Sequence, residues 1–424
     1  MELLNKILRK ENLRTAYENV VRNKGSCGVD GMGVEALKPF LQENWTRIKE
    51  DIINSTYRPQ AILGIEIPKR SGGKRLLGIP TTFDRMIQQA IHQELSPLFE
   101  PDFSAYSYGF RPGRSAGQAI LQAQTYINQG YRSIVDIDIK SFFDTVNHDY
   151  LMTLIKRKVK DRDLLKLIWR FLRSPIQIDG KLQKRRLGVP QGGPLSPLLS
   201  NIVLNELDKE MENRGLHFVR YADDFCIFLK CYRSAHRVKR KISHFIEKYL
   251  HLEVNKKKSA IRKPLQYEYL GYAFESTYKK GDRGQYQLVV SHDSLEELKY
   301  KIKEITRKTI PASFDERIER LTLLMRGWLN YFKYASIFGK LKTLDGWVRN
   351  RLRYCIWHHW KKRGRRAKNL IRLGVPNRMA WQWAHSRMGG WAVSCSPILG
   401  TTITLERLQK RGYVSFLEYY LKIH

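Results

Sequence analysis

The chain has 424 residues, with 76 Lys and Arg against 41 Asp and Glu, for a formal net charge of +35. Its 42% hydrophobic content excludes wholesale disorder and leaves room for two or three domains with a large core. A positive excess on this scale exceeds what solubility needs and implies a polyanionic partner, nucleic acid before anionic membrane.

The opening Met1-Glu2-Leu3-Leu4-Asn5-Lys6 reads as an amphipathic helix and not a signal peptide, and no segment reads as a membrane span. A cytoplasmic protein is expected. Residues 11–25 form a helix ending at Gly25, followed by the Gly-rich loop Gly25 to Gly31. Gly72-Gly73, between basic strand-like flanks, predicts a hairpin. Ile134 to Ile139 alternates as a strand with Asp136 and Asp138 on one face, and the pattern stops before Lys140-Ser141-Phe142-Phe143-Asp144. Val189 to Pro197 is a Gly-rich turn. In it Ser196 can cap a helix whose first residue is Pro197 and which ends near Gly215.

Phe218-Val219 and Phe225 to Leu229 flank Tyr221-Ala222-Asp223-Asp224, a hairpin with acids at its tip. Two adjacent carboxylates repel unless a cation sits between them, so a metal site is the sharper reading. Residues 316–360 carry apolar residues at helical spacing, with most Trp fitting that stripe as core. Residues 301–424 hold 26 Lys and Arg against seven Asp and Glu, and Lys340 to Arg378 contains a single acid, Asp345. A solvated face would mix signs, so this stretch is expected to bind nucleic acid. A break near Gly364 to Lys368 sets off a small C-terminal unit. Cys27, Cys226, Cys231, Cys355 and Cys395 form no CxxC pair, which argues for reduced, packed thiols over a zinc ribbon or disulfides.

The strings Ile67-Pro68-Lys69, Leu77 to Thr81, Tyr108 to Arg114, Asp138 to Asp144, Gln191 to Pro197, Tyr221 to Asp224, Tyr269 to Tyr272 and Arg326 to Phe332 occur in the order found in bacterial group II intron reverse transcriptase/maturases, which the chain resembles over nearly its whole length. The resemblance implies an α+β right-hand polymerase, with fingers and palm built on antiparallel sheet, a helical thumb and a small, mainly helical C-terminal domain. The expected boundaries are 1–130 for the N-terminal extension and fingers, 131–290 for the palm, 291–364 for the thumb and 365–424 for the DNA-binding domain. No nuclease of its own is expected.

By the same resemblance, Asp138, Asp223 and Asp224 with the Ile139 carbonyl hold two Mg²⁺ ions, for which Mn²⁺ can substitute. Asp136 and Asp144 are near misses in sequence. Lys69 and Arg75 grip the incoming triphosphate, Phe143 excludes a 2′-OH, and Gln191 lines the nucleotide pocket. Lys258 protonates pyrophosphate, or belongs to a solvated run of three lysines. Arg111, Arg114, Lys361, Lys362, Arg363, Arg365 and Arg366 contact template or primer. The implied partners are intron RNA, an RNA template with its primer, deoxynucleoside triphosphates and target DNA, for a monomer or weak dimer. The implied function is RNA-directed DNA synthesis with assistance to intron splicing and retrohoming. A related enzyme of phage defence or repair and an RNA-binding maturase without polymerase activity are the alternatives.

Overall fold

Alternating β-branched and aromatic runs become strands where one face can be buried, and among the described residues they assemble into three sheets. The computed structural model describes residues 2–68, 72–277 and 284–423. The chain divides into two units, Met1–Lys263 and Pro264–His424.

The first unit contains β1 (Ile62–Pro68), β2 (Lys74–Ile79), β3 (Ser133–Ile137), β4 (Ile176–Ile178), β5 (Lys181–Gln183), β6 (His217–Tyr221), β7 (Asp224–Leu229) and β8 (Ala260–Arg262). One sheet has the order β2-β1-β4-β5 and includes a parallel pairing between β1 and β4. The expected hairpin is β1–β2, with Pro68 opposite Lys74 and with Gly72 and Gly73 at φ 84° and 81°, a region open to glycine. The other sheet, β6-β7-β3-β8, is antiparallel throughout, with Val135 opposite Ile227 and Asp136 opposite Cys226.

Strand alternation sends Val135, Ile137, Phe225 and Ile227 into the large core. The helix Tyr232–Lys248 packs on β3 and adds Ala235, Ile242 and Ile246 to that core. Each such large side chain contributes about 1.5–3 kcal/mol when buried. Asp136 and Asp138 belong to the opposite alternation, as the sequence pattern implies. β3 ends at Ile137, however, so Asp138 stands just beyond the strand.

Several boundaries differ from expectation for local reasons. The first long helix is Lys10–Asn23, and its left-handed closing residue is Lys24 at φ 45° instead of Gly25. The helix after the Gly-rich turn is Ser196–Asn213, so Ser196 is its first residue and caps nothing. Residues 316–360 fall into two helices, Phe314–Tyr331 and Phe338–His359. The expected break at Gly364 to Lys368 lies inside the helix Arg363–Arg372. Strong helix formers outweigh one glycine there, and the interruption comes at Trp360 to Lys362.

The second unit holds the sheet β11-β10-β9, formed by β9 (Glu268–Tyr269), β10 (Tyr272–Ser276) and β11 (Tyr286–Val290), and the remaining helices. Ile318, Leu321, Met325, Leu329, Leu344, Val348 and Leu352 are buried along the predicted stripe. Asp345 is also buried. It accepts hydrogen bonds from the Tyr413 and Ser415 hydroxyls at 2.8 and 2.6 Å and from the Phe416 and Leu417 amides, both at 2.9 Å, which ties down the helix Phe416–Ile423. Of the Trp residues between 316 and 360, Trp357 is buried and Trp328, Trp347 and Trp360 are half-buried, whereas Trp381 and Trp391, beyond that stripe, are 43% and 40% exposed. Among the described residues no helix is long and apolar enough to cross a membrane.

Candidate active site

A two-residue loop, Ala222-Asp223, joins β6 to β7, with Tyr221 opposite Asp224. Asp223 therefore lies in the turn, while Asp224 is already a strand residue. Ala222 takes φ 57°, a left-handed conformation that costs a residue with a side chain on the order of 1 kcal/mol or more. The end of β3 is fastened separately. The Asp138 amide donates to the Ser259 hydroxyl at 3.0 Å, the Asn255 amide to the Asp138 carbonyl at 2.8 Å, and the Lys140 amide to the Glu253 carbonyl at 2.8 Å.

These two ends meet at a cleft of about 600 Å³. Asp138, Ile139, Phe143, Asp144, Gln191, Asp223, Asp224, Arg75 and Lys258 all line it. Of the three consecutive lysines, only Lys258 is among its lining residues. Asp136 is drawn aside to Arg262, 3.3 Å away. Phe143 is half-buried, unlike the buried Phe142 beside it, and lines both this cleft and an adjoining cavity of about 490 Å³. The Gln191 side-chain oxygen accepts from the Arg75 guanidinium, and its carbonyl accepts from the Gly78 amide at 2.9 Å. At Gly192, φ 136°, a Cβ would stand 2.5 Å from the Gly78 carbonyl oxygen, so the turn needs glycine to lie against β2.

The carboxylates are electrostatically crowded. Asp224 is pushed up to about 6 by desolvation first, then by Asp223, Asp138 and Asp136. Asp223 is raised as well, chiefly by desolvation, with Asp138 adding to the shift and Arg75 opposing it. Neighbouring cations thus leave the acids undercompensated, which is the condition a bound divalent cation relieves. Among the described residues no three His, Cys, Asp or Glu side chains are grouped closely enough to hold an ion by themselves. The carboxylates that line the cleft are hard oxygen donors, and a divalent cation bound among them would take its remaining ligands from water and substrate phosphates.

Lys69 is outside the described residues. Arg111, expected at template phosphates, has a side chain only 5% exposed. It pairs with Glu100 at 2.8 Å and donates to the carbonyls of Ser104 and Ser107 at 2.5 and 2.7 Å, so its donors are spent inside the fold. Arg114 remains exposed, with its guanidinium 5.6 Å from the Tyr108 ring centre. Lys361, Lys362, Arg363 and Arg365 are exposed, but Arg366 lies over Trp357 at 4.4 Å and donates to the Trp360 carbonyl at 3.0 Å.

Sequence reasoning passed over Arg220, the residue before the Tyr221 to Asp224 string, and its partners Asp208 and Asn201. Arg220 and Asp208 have fully buried side chains. The signal was present: a charged residue inside the apolar run Phe218-Val219-Arg220 is tolerated only when it is paired.

Residues 67–274 match the family described as reverse transcriptase (RNA-dependent DNA polymerase), and residues 295–374 match the group II intron, maturase-specific domain. The chain is 36% identical to protein YkfC of Escherichia coli K12, over half of this chain and 58% of that protein. It is also 36% identical to the group II intron-encoded protein LtrA of Lactococcus lactis subsp. cremoris, over 57% of this chain and 40% of that protein. It thus spans about two fifths to three fifths of the length of these relatives. Telomerase from Candida albicans overlays with a TM-score of 0.43 at 13% identity, covering 82% of this chain and 70% of that one.

Proposed function

We propose that this chain, which belongs to the reverse transcriptases of group II introns, synthesises DNA on an RNA template and binds intron RNA to assist splicing and retrohoming. The observation that carries this reading is the convergence of Asp138, Asp223 and Asp224 with Phe143, Gln191, Arg75 and Lys258 on one cleft. Reverse transcriptases use divalent metal ions. In our reading two Mg²⁺ ions are held by Asp138, Asp223, Asp224 and the Ile139 carbonyl. When bound they neutralise charge on the attacking 3′ oxygen and on the leaving pyrophosphate.

The protein's own part is to position. Asp138 comes from the end of β3, where Ser259 and Asn255 hold its amide and carbonyl, and Asp223 from the turn that the β6–β7 pairing closes. Arg75, held by Gln191, offers its charge to the triphosphate together with Lys69. Phe143 presents a half-buried ring to the cleft, where it would leave no space for a 2′-OH, so deoxynucleotides are selected by exclusion. In the same reading Lys258, which lines the cleft, donates a proton to pyrophosphate.

In this reading β1–β2 and the N-terminal helices are fingers, the β6-β7-β3-β8 sheet is the palm, and the helices from His292 onward are thumb and C-terminal DNA-binding domain. The exposed Lys361, Lys362, Arg363 and Arg365 bind nucleic-acid phosphates. Primer extension on an RNA template, run beside a splicing assay with the intron flanking the gene, tests both activities. DNA synthesis together with accelerated splicing is expected. Absence of extension in Mg²⁺ and Mn²⁺ alike would overturn the polymerase reading.

A further inference from the structure

The turn that carries Asp223 is held from behind by side chains that do not line the cleft. Arg220 donates from Nε and one terminal nitrogen to the two Asp208 oxygens at 2.7 and 2.5 Å. Its other terminal nitrogen donates to Asn201 Oδ1 at 2.9 Å and to the Ala222 carbonyl at 3.0 Å. One guanidinium thus links the helix Ser196–Asn213 to the residue preceding Asp223. The Asn201 amide also donates to the Gly109 carbonyl at 2.9 Å.

Gly109 presses on the same turn, since a Cβ there would stand 2.2 Å from the Ala222 nitrogen and 3.0 Å from its Cα. The segment before it runs alongside β6, with the Tyr108 amide donating to the Arg220 carbonyl at 2.8 Å and the Arg220 amide to the Tyr106 carbonyl at 2.9 Å. Buried Arg111 secures the start of that segment. Ala222, at φ 57°, is therefore constrained on its carbonyl side by Arg220 and on its amide side by Gly109. A strained residue persists only where its surroundings over-determine it.

We infer that Arg220, Asn201 and Gly109 are positioning residues that set where the Asp223 carboxylate stands relative to Asp138, and through that distance the divalent-cation affinity of the cleft. The inference rests on the reading of Asp138 and Asp223 as the metal-holding pair. It assigns to the backing network a role in function beyond stability, as outer groups have at metal sites generally.

The test uses the full chain and Mn²⁺ as the probe, with bound metal followed by loss of the free Mn²⁺ electron paramagnetic resonance signal. Asn201→Ala and Gly109→Ala are compared with the parent and with Asp223→Asn, well below each variant's melting temperature measured without metal. Both backing variants should weaken Mn²⁺ binding by about tenfold or more, keep RNA affinity, and recover extension rate as Mn²⁺ is raised. Parent-like Mn²⁺ affinity in both, with affinity lost in Asp223→Asn, would overturn the proposal and leave the network a merely structural one. Parent-like affinity in Asp223→Asn would remove the assignment of the metal pair and the proposal with it.

Discussion

Replacing Arg220 with Met keeps the volume of the side chain and removes its charge. The substitution leaves the Asp208 carboxylate at 0% side-chain exposure without the guanidinium that neutralises it. Two hydrogen bonds to Asp208 disappear, and so do those to Asn201 and the Ala222 carbonyl. Removing one partner of such a buried pair costs about 3–5 kcal/mol, mostly for the charge left behind. Replacing both partners with apolar groups is far cheaper, so Arg220→Met combined with Asp208→Leu should regain most of the loss. The recovered fold would still lack a donor for the Ala222 carbonyl, and its extension rate should stay low. Hydrogen exchange at the β7 amides reports the stability of this sheet directly. A loss below about 1 kcal/mol in the single variant, or a double variant as unstable as the single one, would show that Asp208 is not left as an unpaired buried charge.

Three further outcomes are expected. Phe143→Ala should admit ribonucleotides while deoxynucleotide use falls modestly, because the discrimination lies in excluded volume; an unchanged sugar preference in competition assays would assign Phe143 to packing alone. Asp84 is pushed up to about 6 by burial, which outweighs hydrogen bonds from Tyr57, Thr81 and the Gln60 amide. Since that exceeds its unfolded value of about 3.9, its protonation stabilises the fold fully below that pH, and the contribution is lost as pH rises through 6. The parent's stability relative to Asp84→Asn should therefore fall by about 3 kcal/mol across this window, read from urea midpoints; a constant difference contradicts the assignment. Replacing Lys361, Lys362, Arg363 and Arg365 with Gln should weaken RNA binding and flatten the plot of log affinity against log salt by up to about one unit per lost phosphate contact. An unchanged slope would take this cluster off the binding surface.

The residues that line the cleft were legible because they sit in short strings of distinctive type and spacing. Paired acids, a Gly-rich turn before a helix and an aromatic after a strand all announce themselves in single strings. The hairpin β6–β7 and the strand β3 could be read from alternation, and the structure brings their ends together at the cleft. Pairing across distance was less legible. Arg111 resembled its exposed neighbour Arg114 in sequence, and only the fold reveals that Glu100 and two carbonyls consume its donors. Arg366 looked like the other members of its basic run until Trp357 came beneath it. Asp345, the lone acid among 13 Lys and Arg, proved to be the anchor of the last helix, a role set by partners about 70 residues away. The parallel pairing of β1 with β4 joins strands about a hundred residues apart, and local periodicity carries no trace of it.

In the proposed reading Asp138 and Asp223 act together in metal-dependent nucleotide addition. Single-turnover primer extension on an RNA template with Mg²⁺ tests it most directly when Asp138→Ala and Asp223→Ala are compared with the parent and RNA affinity is measured on the same preparations. Each substitution should lower the extension rate by orders of magnitude, because the metal supplies several kcal/mol of charge stabilisation, and should leave RNA affinity nearly unchanged. Robust extension by either variant would remove that residue from the metal-holding pair.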